Sequence, residues 1–99
     1  MGVIADSRSV PAGSWTRILD RVTEAGVRVE GHGEEEGLLW CSCRRGWASV
    51  GLALDLSKSP NAVYLYCGVL RYLSRPMSTR RLFAEVRSVI TSTVGRADA

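Results

Sequence analysis

Four side chains in this sequence carry the donor chemistry of a zinc site: Cys41, Cys43, Cys67 and His32. Zinc knuckles space their thiols C-x₂₋₄-C, so that a turn brings both sulfurs onto one ion. The pair here is C-x-C. On a strand its two side chains would share a face with Cα atoms about 7 Å apart, at or beyond the reach of a relaxed disulfide. An odd cysteine count in a short chain also argues against an oxidised framework. The three cysteines are therefore read as reduced core thiols, and neither a metal nor a cofactor is expected.

His32 is the sole histidine, the only side chain whose ordinary pKa suits proton transfer near neutrality. A general base needs an orienting partner, and between Gly31 and Gly33 it has none. Glu34, Glu35 and Glu36 follow as an acidic run, read as a solvated connector. The glycines of Gly31-x-Gly33-x-x-x-Gly37 are wrongly spaced for a dinucleotide loop, and three carboxylates would face the pyrophosphate. No catalytic residue is expected, and the chain reads as non-enzymatic.

Of the 13 basic residues 12 are arginine, against 10 acids and a net charge of +3. Gln is absent and Asn61 is the only Asn, a skew best explained by a GC-rich bacterial or phage genome. Arginine forks do recognise carboxylates and phosphates. Arg44 and Arg45 are adjacent, and Arg80 and Arg87 lie on one side of a helix about 10 Å apart. With Arg71 and Arg75 they are the candidates for a basic ridge.

The elements that must position these groups follow from periodicity. Ninety-nine residues with 45% apolar and 23% charged content fit one globular domain. Residues 1–13 lack a sustained period and read as an irregular arm. Ser14 is the expected N-cap of a helix through Trp15, Ile18, Leu19, Val22 and Ala25, with Gly26 as terminator. Strands are expected at Val27–Glu30, from Leu38 to about Arg44, and from Trp47 to Leu56. The stretch 62–74 suits a strand to Cys67, although a helix capped by Ser59 also fits. Arg75-Pro76-Met77 breaks the chain. Ser78 or Thr79 then caps a last helix through Leu82, Phe83, Val86, Val89, Ile90 and Val94, which Gly95 ends. The expected class is α+β: an antiparallel sheet of three to four strands flanked by an N-terminal and a C-terminal helix. This layout is similar to that of small dimeric secretion chaperones and of immunity-type proteins, without a shared motif, and layout alone carries no function.

Alternation gives that sheet two apolar faces. Leu39, Cys41, Cys43, Val50, Leu52, Leu54, Val63 and Leu65 share one side, while Leu38, Trp40, Trp47, Ala53, Tyr64 and Tyr66 share the other. A two-layer domain normally turns a polar face to water. Either the two helices cover opposite faces, or both pack on one side and the aromatic side meets a protein partner or a second copy, or the rings form a stacking platform for bases. The expectation is a small regulatory interaction module, an adaptor, chaperone or inhibitor, binding a protein or itself as a homodimer through Trp40, Trp47, Tyr64 and Tyr66, with Arg44 and Arg45 at the rim. The alternative is nucleic-acid binding that adds Arg71, Arg80 and Arg87. Met1–Gly13 never reaches the apolar length of a signal peptide and no apolar run spans a bilayer, so a cytoplasmic location is expected.

Overall fold

The structure, a computed structural model, describes residues 2–74 and 78–98, with side chains through Val94. Its elements run β1 (Val3–Val10), α1 (Ser14–Glu24), β2 (Arg28–Glu35), β3 (Leu38–Arg45), β4 (Ala48–Asp55), β5 (Asn61–Gly68), α2 (Val69–Leu73) and α3 (Thr79–Asp98). The five strands form one antiparallel sheet in the order β1-β5-β4-β3-β2. The α+β class holds, with five strands in place of three to four.

Strands β2 to β5 form a meander whose turns are readable residue by residue. Glu35 pairs with Leu38 around Glu36-Gly37, both at positive φ (50° and 79°), as a type I′ hairpin requires. Arg45 pairs with Ala48 around Gly46-Trp47, where Gly46 alone sits at positive φ (62°), as in type II′. Trp47 is therefore at the tip of a turn and outside β4.

Helix α1 carries the chain from the β1 edge to the β2 edge. It buries Ile18 and Val22, while α3 buries Leu82, Phe83, Val86, Ile90 and Val94. Both helices lie on the same face and touch each other, enclosing Cys41, Cys43, Val50, Leu52, Leu54, Val63, Leu65 and Cys67 beneath them. Placing both helices on one side leaves the opposite side of the sheet without a layer among the described residues.

Several local expectations are corrected. Residues 1–13 are no irregular arm: Val3–Val10 forms β1, paired with β5 from Val3↔Gly68 to Val10↔Asn61. Its inward positions are Ile4, Asp6, Arg8 and Val10, and the two charges at the sheet edge interrupt the alternation that would have revealed it. The acidic connector is largely strand: β2 runs on to Glu35 across a register shift between Glu30 and Gly33. The N-cap of α1 is Gly13 and not Ser14, whose hydroxyl is buried without a hydrogen-bond partner. Stretch 62–74 is both things in turn, strand to Gly68 and then the short α2. Helix α3 passes through Gly95 to Asp98. It starts at Thr79, and the Ser78 carbonyl accepts the first helical bond from the Leu82 N–H at 3.1 Å. The chain break assigned to Arg75-Pro76-Met77 lies outside the described residues, as does Arg75 as a ridge residue.

Candidate functional site

Cross-strand register fixes what the helix-free face displays. One row across the sheet reads Gly33, Trp40, Ala53, Tyr64, Ser7, and the next reads Glu30, Ser42, Gly51, Tyr66, Ala5. The Trp40, Tyr64 and Tyr66 rings thus occupy neighbouring positions of one surface, as the alternation implies. Two of them lie down rather than standing up. A Cβ built on Gly33 would come within 2.2 Å of the Trp40 ring, and one on Gly51 within 2.3 Å of the Tyr66 ring. Each ring therefore rests on a neighbouring strand at the one residue type that leaves room, the packing called aromatic rescue of glycine. Ala53, between Trp40 and Tyr64 in the pairing, is buried although it faces outward.

The resulting surface is smooth, apolar and still substantially wet. Trp40 remains 39% exposed, while Tyr64 and Tyr66 are half-buried. A shallow groove of about 310 Å³ runs between Trp40 and Tyr66 and is closed at one end by Arg71, whose Nη1 donates to Ser49 Oγ at 3.2 Å. Lys58 lies 5.8 Å from the Tyr64 ring centre, a cation–π contact, and the Tyr64 hydroxyl holds the ammonium pKa above its ordinary value.

The Arg71 end of the sheet carries further apolar side chains. Trp47 is 83% exposed at its hairpin tip, Leu70 of α2 is 74% exposed, and Val3, opposite Gly68 in the register, is 62% exposed. Sequence reasoning missed Val3 and Leu70. The first lay in the supposed arm, and the second in the stretch 62–74, for which strand and helix both fitted. The sign available was Ile4 and Val10, six residues apart and so on one face of a strand, with Val3 beside Ile4 on the other face.

The candidate arginines divide: Arg44 stands opposite Arg28 in the β2–β3 register and lines a shallow cleft with Arg28 and Arg45, whereas Arg80 and Arg87 lie elsewhere. Arg44, on the aromatic face, pairs with Glu30 at 3.4 Å. Arg45 has the opposite parity and pairs with Glu85 of α3, away from the rings. Arg80 stacks over Tyr72 (5.4 Å) and Arg87 over Phe83 (5.9 Å), both on the helix side. Among the described residues, Arg71 is the candidate that joins Arg44 beside the aromatic rows.

The donor set of the zinc reading also separates. Cys41 and Cys43 are adjacent inward positions of β3, Cys67 is an inward position of β5, and His32 is exposed on β2. Among the described residues no group of three His, Cys, Asp or Glu side chains converges as metal ligands would. The neighbouring Cys41 thiol and burial push the Cys43 thiol above the ordinary range, and burial raises Cys67. Neither is suited to act as a thiolate. No helix of the described residues is long and apolar enough to cross a membrane. No family, no curated protein and no solved structure matches the chain significantly.

Proposed function

We propose that this protein is a small non-enzymatic binding module of the adaptor, chaperone or inhibitor type, acting in the cytoplasm, that takes a protein partner on the open face of its sheet. The observation that carries the reading is the helix-free surface on which Trp40, Tyr64 and Tyr66 lie in adjacent rows, continued at one end by Trp47, Leu70 and Val3. Interface cores are enriched in aromatic side chains and depleted of charge. Rings already laid flat lose little conformational freedom on docking, which favours affinity.

Charge supports a protein over a nucleic acid as the occupant. A base-stacking platform needs an uncompensated cationic border. Here Arg44 is paired with Glu30, and Asp55 and Glu35 stand on the same outward row as Leu38, where they would repel phosphate; Arg28 and Arg71 are the cations of that face without an ion-pair partner among the described residues. Arg45, Arg80 and Arg87 lie toward the helices. Three free, buried thiols are in keeping with a reducing compartment.

The test is capture from the source lysate by immobilised protein, compared with a Trp47→Ala/Leu70→Ala variant. Both side chains are more than half exposed, so the variant keeps its fold. A single partner retained by the wild type at high salt and lost by the variant supports the reading. Retention on heparin with affinity falling steeply as salt rises, unchanged in the variant, overturns it in favour of nucleic acid.

A further inference from the structure

The two edges of the sheet are built differently. Edge strand β2 carries a register shift between Glu30 and Gly33, Gly31 at positive φ, and Glu34 and Glu35 beyond it. Bulges, glycine and charge are the devices that stop an exposed edge from pairing with another chain. Edge strand β1 has none of the irregularities. Its eight residues hold an unbroken register with β5, without proline, glycine or lysine. The α2 helix touches only its first end, where the Val69 N–H donates to the Gly2 carbonyl at 3.3 Å.

The remaining device on β1 is a pair of inward-facing charges, Asp6 and Arg8, at the mouth of a cleft of about 160 Å³ between β1 and α3. Arg8 Nη1 donates to Thr91 Oγ1 at 3.1 Å, and neither charge has an ion-pair partner among the described residues. Charges placed this way repel most chains. They do not repel a second copy in one particular register.

We propose that a second copy of this chain docks on the free edge of β1, antiparallel and centred on Ser7, continuing the five strands into a ten-stranded sheet. In that register Asp6 stands opposite the partner subunit's Arg8, and Arg8 opposite the partner subunit's Asp6. Ile4 meets the partner subunit's Val10, and Ser7 meets its own counterpart. Registers centred on Asp6 or Arg8 place like charges face to face at the two-fold axis, which is destabilising. Registers centred between residues turn one copy over, setting the helix side of one beside the aromatic side of the other. The Ser7-centred pairing alone matches charge, apolar residues and faces together. It leaves the aromatic surfaces of both copies side by side and open, so it stands or falls independently of the partner proposed for that surface.

Sedimentation velocity of the full chain from ~1 to ~100 µM reads this directly, since strand-edge interfaces are small and of modest affinity. The wild type is expected to dimerise within that range. Asp6→Arg and Arg8→Asp each convert two attractive pairs into two repulsive ones and should weaken self-association by about 10- to 100-fold. An equimolar mixture of the two variants restores opposite charges at both positions and should form a heterodimer. Asp6 is exposed, so Asp6→Arg, with Asp6→Asn as an intermediate case, carries the test even if Arg8→Asp loses its fold. A wild type that stays monomeric at the highest concentration overturns the proposal. So does an Asp6→Arg variant that dimerises like wild type, or a mixture of two folded variants that stays monomeric.

Discussion

Replacing Gly33 by alanine puts the packing of the aromatic face to a decisive test. Gly33 is not at positive φ, so its backbone accommodates alanine without strain, and relief of glycine's chain entropy alone would stabilise the fold by about 0.5–1 kcal/mol. Against that, the new Cβ would meet the Trp40 ring at 2.2 Å, and the ring must lift. Trp40 is 39% exposed. A tryptophan buries at most about 250 Å², so roughly 150 Å² is at stake, with a ceiling of about 4 kcal/mol if the ring were fully released. A tilt that sacrifices about half of this gives a gross loss of ~2 kcal/mol and a net destabilisation of ~1–1.5 kcal/mol. In a Trp40→Ala background the clash is gone, and the same substitution should be stabilising by about 0.5–1 kcal/mol. Urea unfolding of the four members of the cycle, followed by far-ultraviolet circular dichroism, measures the coupling, expected to be ~2 kcal/mol. If Gly33→Ala stabilises the protein equally with and without Trp40, the ring does not rest on that glycine, and the flat surface on which the binding proposal depends is not formed.

Other consequences are as specific. Ser14→Ala removes a buried hydroxyl without a partner, so it should leave stability unchanged or raise it by up to ~1 kcal/mol, whereas an N-cap serine would lose about 1 kcal/mol; thermal unfolding decides between them. Trp47→Ala, at an exposed hairpin tip, should change stability by less than ~0.5 kcal/mol while reducing partner capture. Burial holds the Cys67 thiol above its ordinary value of 9.0 in the folded state, so the stability it lends is complete below that pH and declines as pH rises above it. Urea midpoints compared at pH 8 and pH 10 should show the decline, and it should be smaller in Cys67→Ala. Native protein should react slowly with a thiol reagent at pH 8, and unfolded protein should react at all three cysteines.

Much of this protein was legible in the chain itself. The 3.6-residue spacing of Ile18 and Val22, and of Leu82, Phe83, Val86 and Ile90, located both long helices and their buried sides. Two-residue alternation sorted Cys41, Cys43, Leu52 and Leu65 from Trp40, Tyr64 and Tyr66, and the structure keeps them on those faces. These signals survive in sequence because they are periods of one local element pressed against one core. Strand β1 was hidden because its inward positions at the sheet edge hold Asp6 and Arg8, and β2 because glycines and glutamates serve an edge that must not pair.

Tertiary structure alone decided the rest. It put α1 and α3 on the same face, laid Trp40 on Gly33 and Tyr66 on Gly51, and dispersed Arg44, Arg45, Arg80 and Arg87 among separate partners. Each of these is a relation between elements far apart along the chain. An element's own period records which of its sides is buried, but not which other element covers it, because crossing direction and register depend on the fit of surfaces that meet only once the chain has folded.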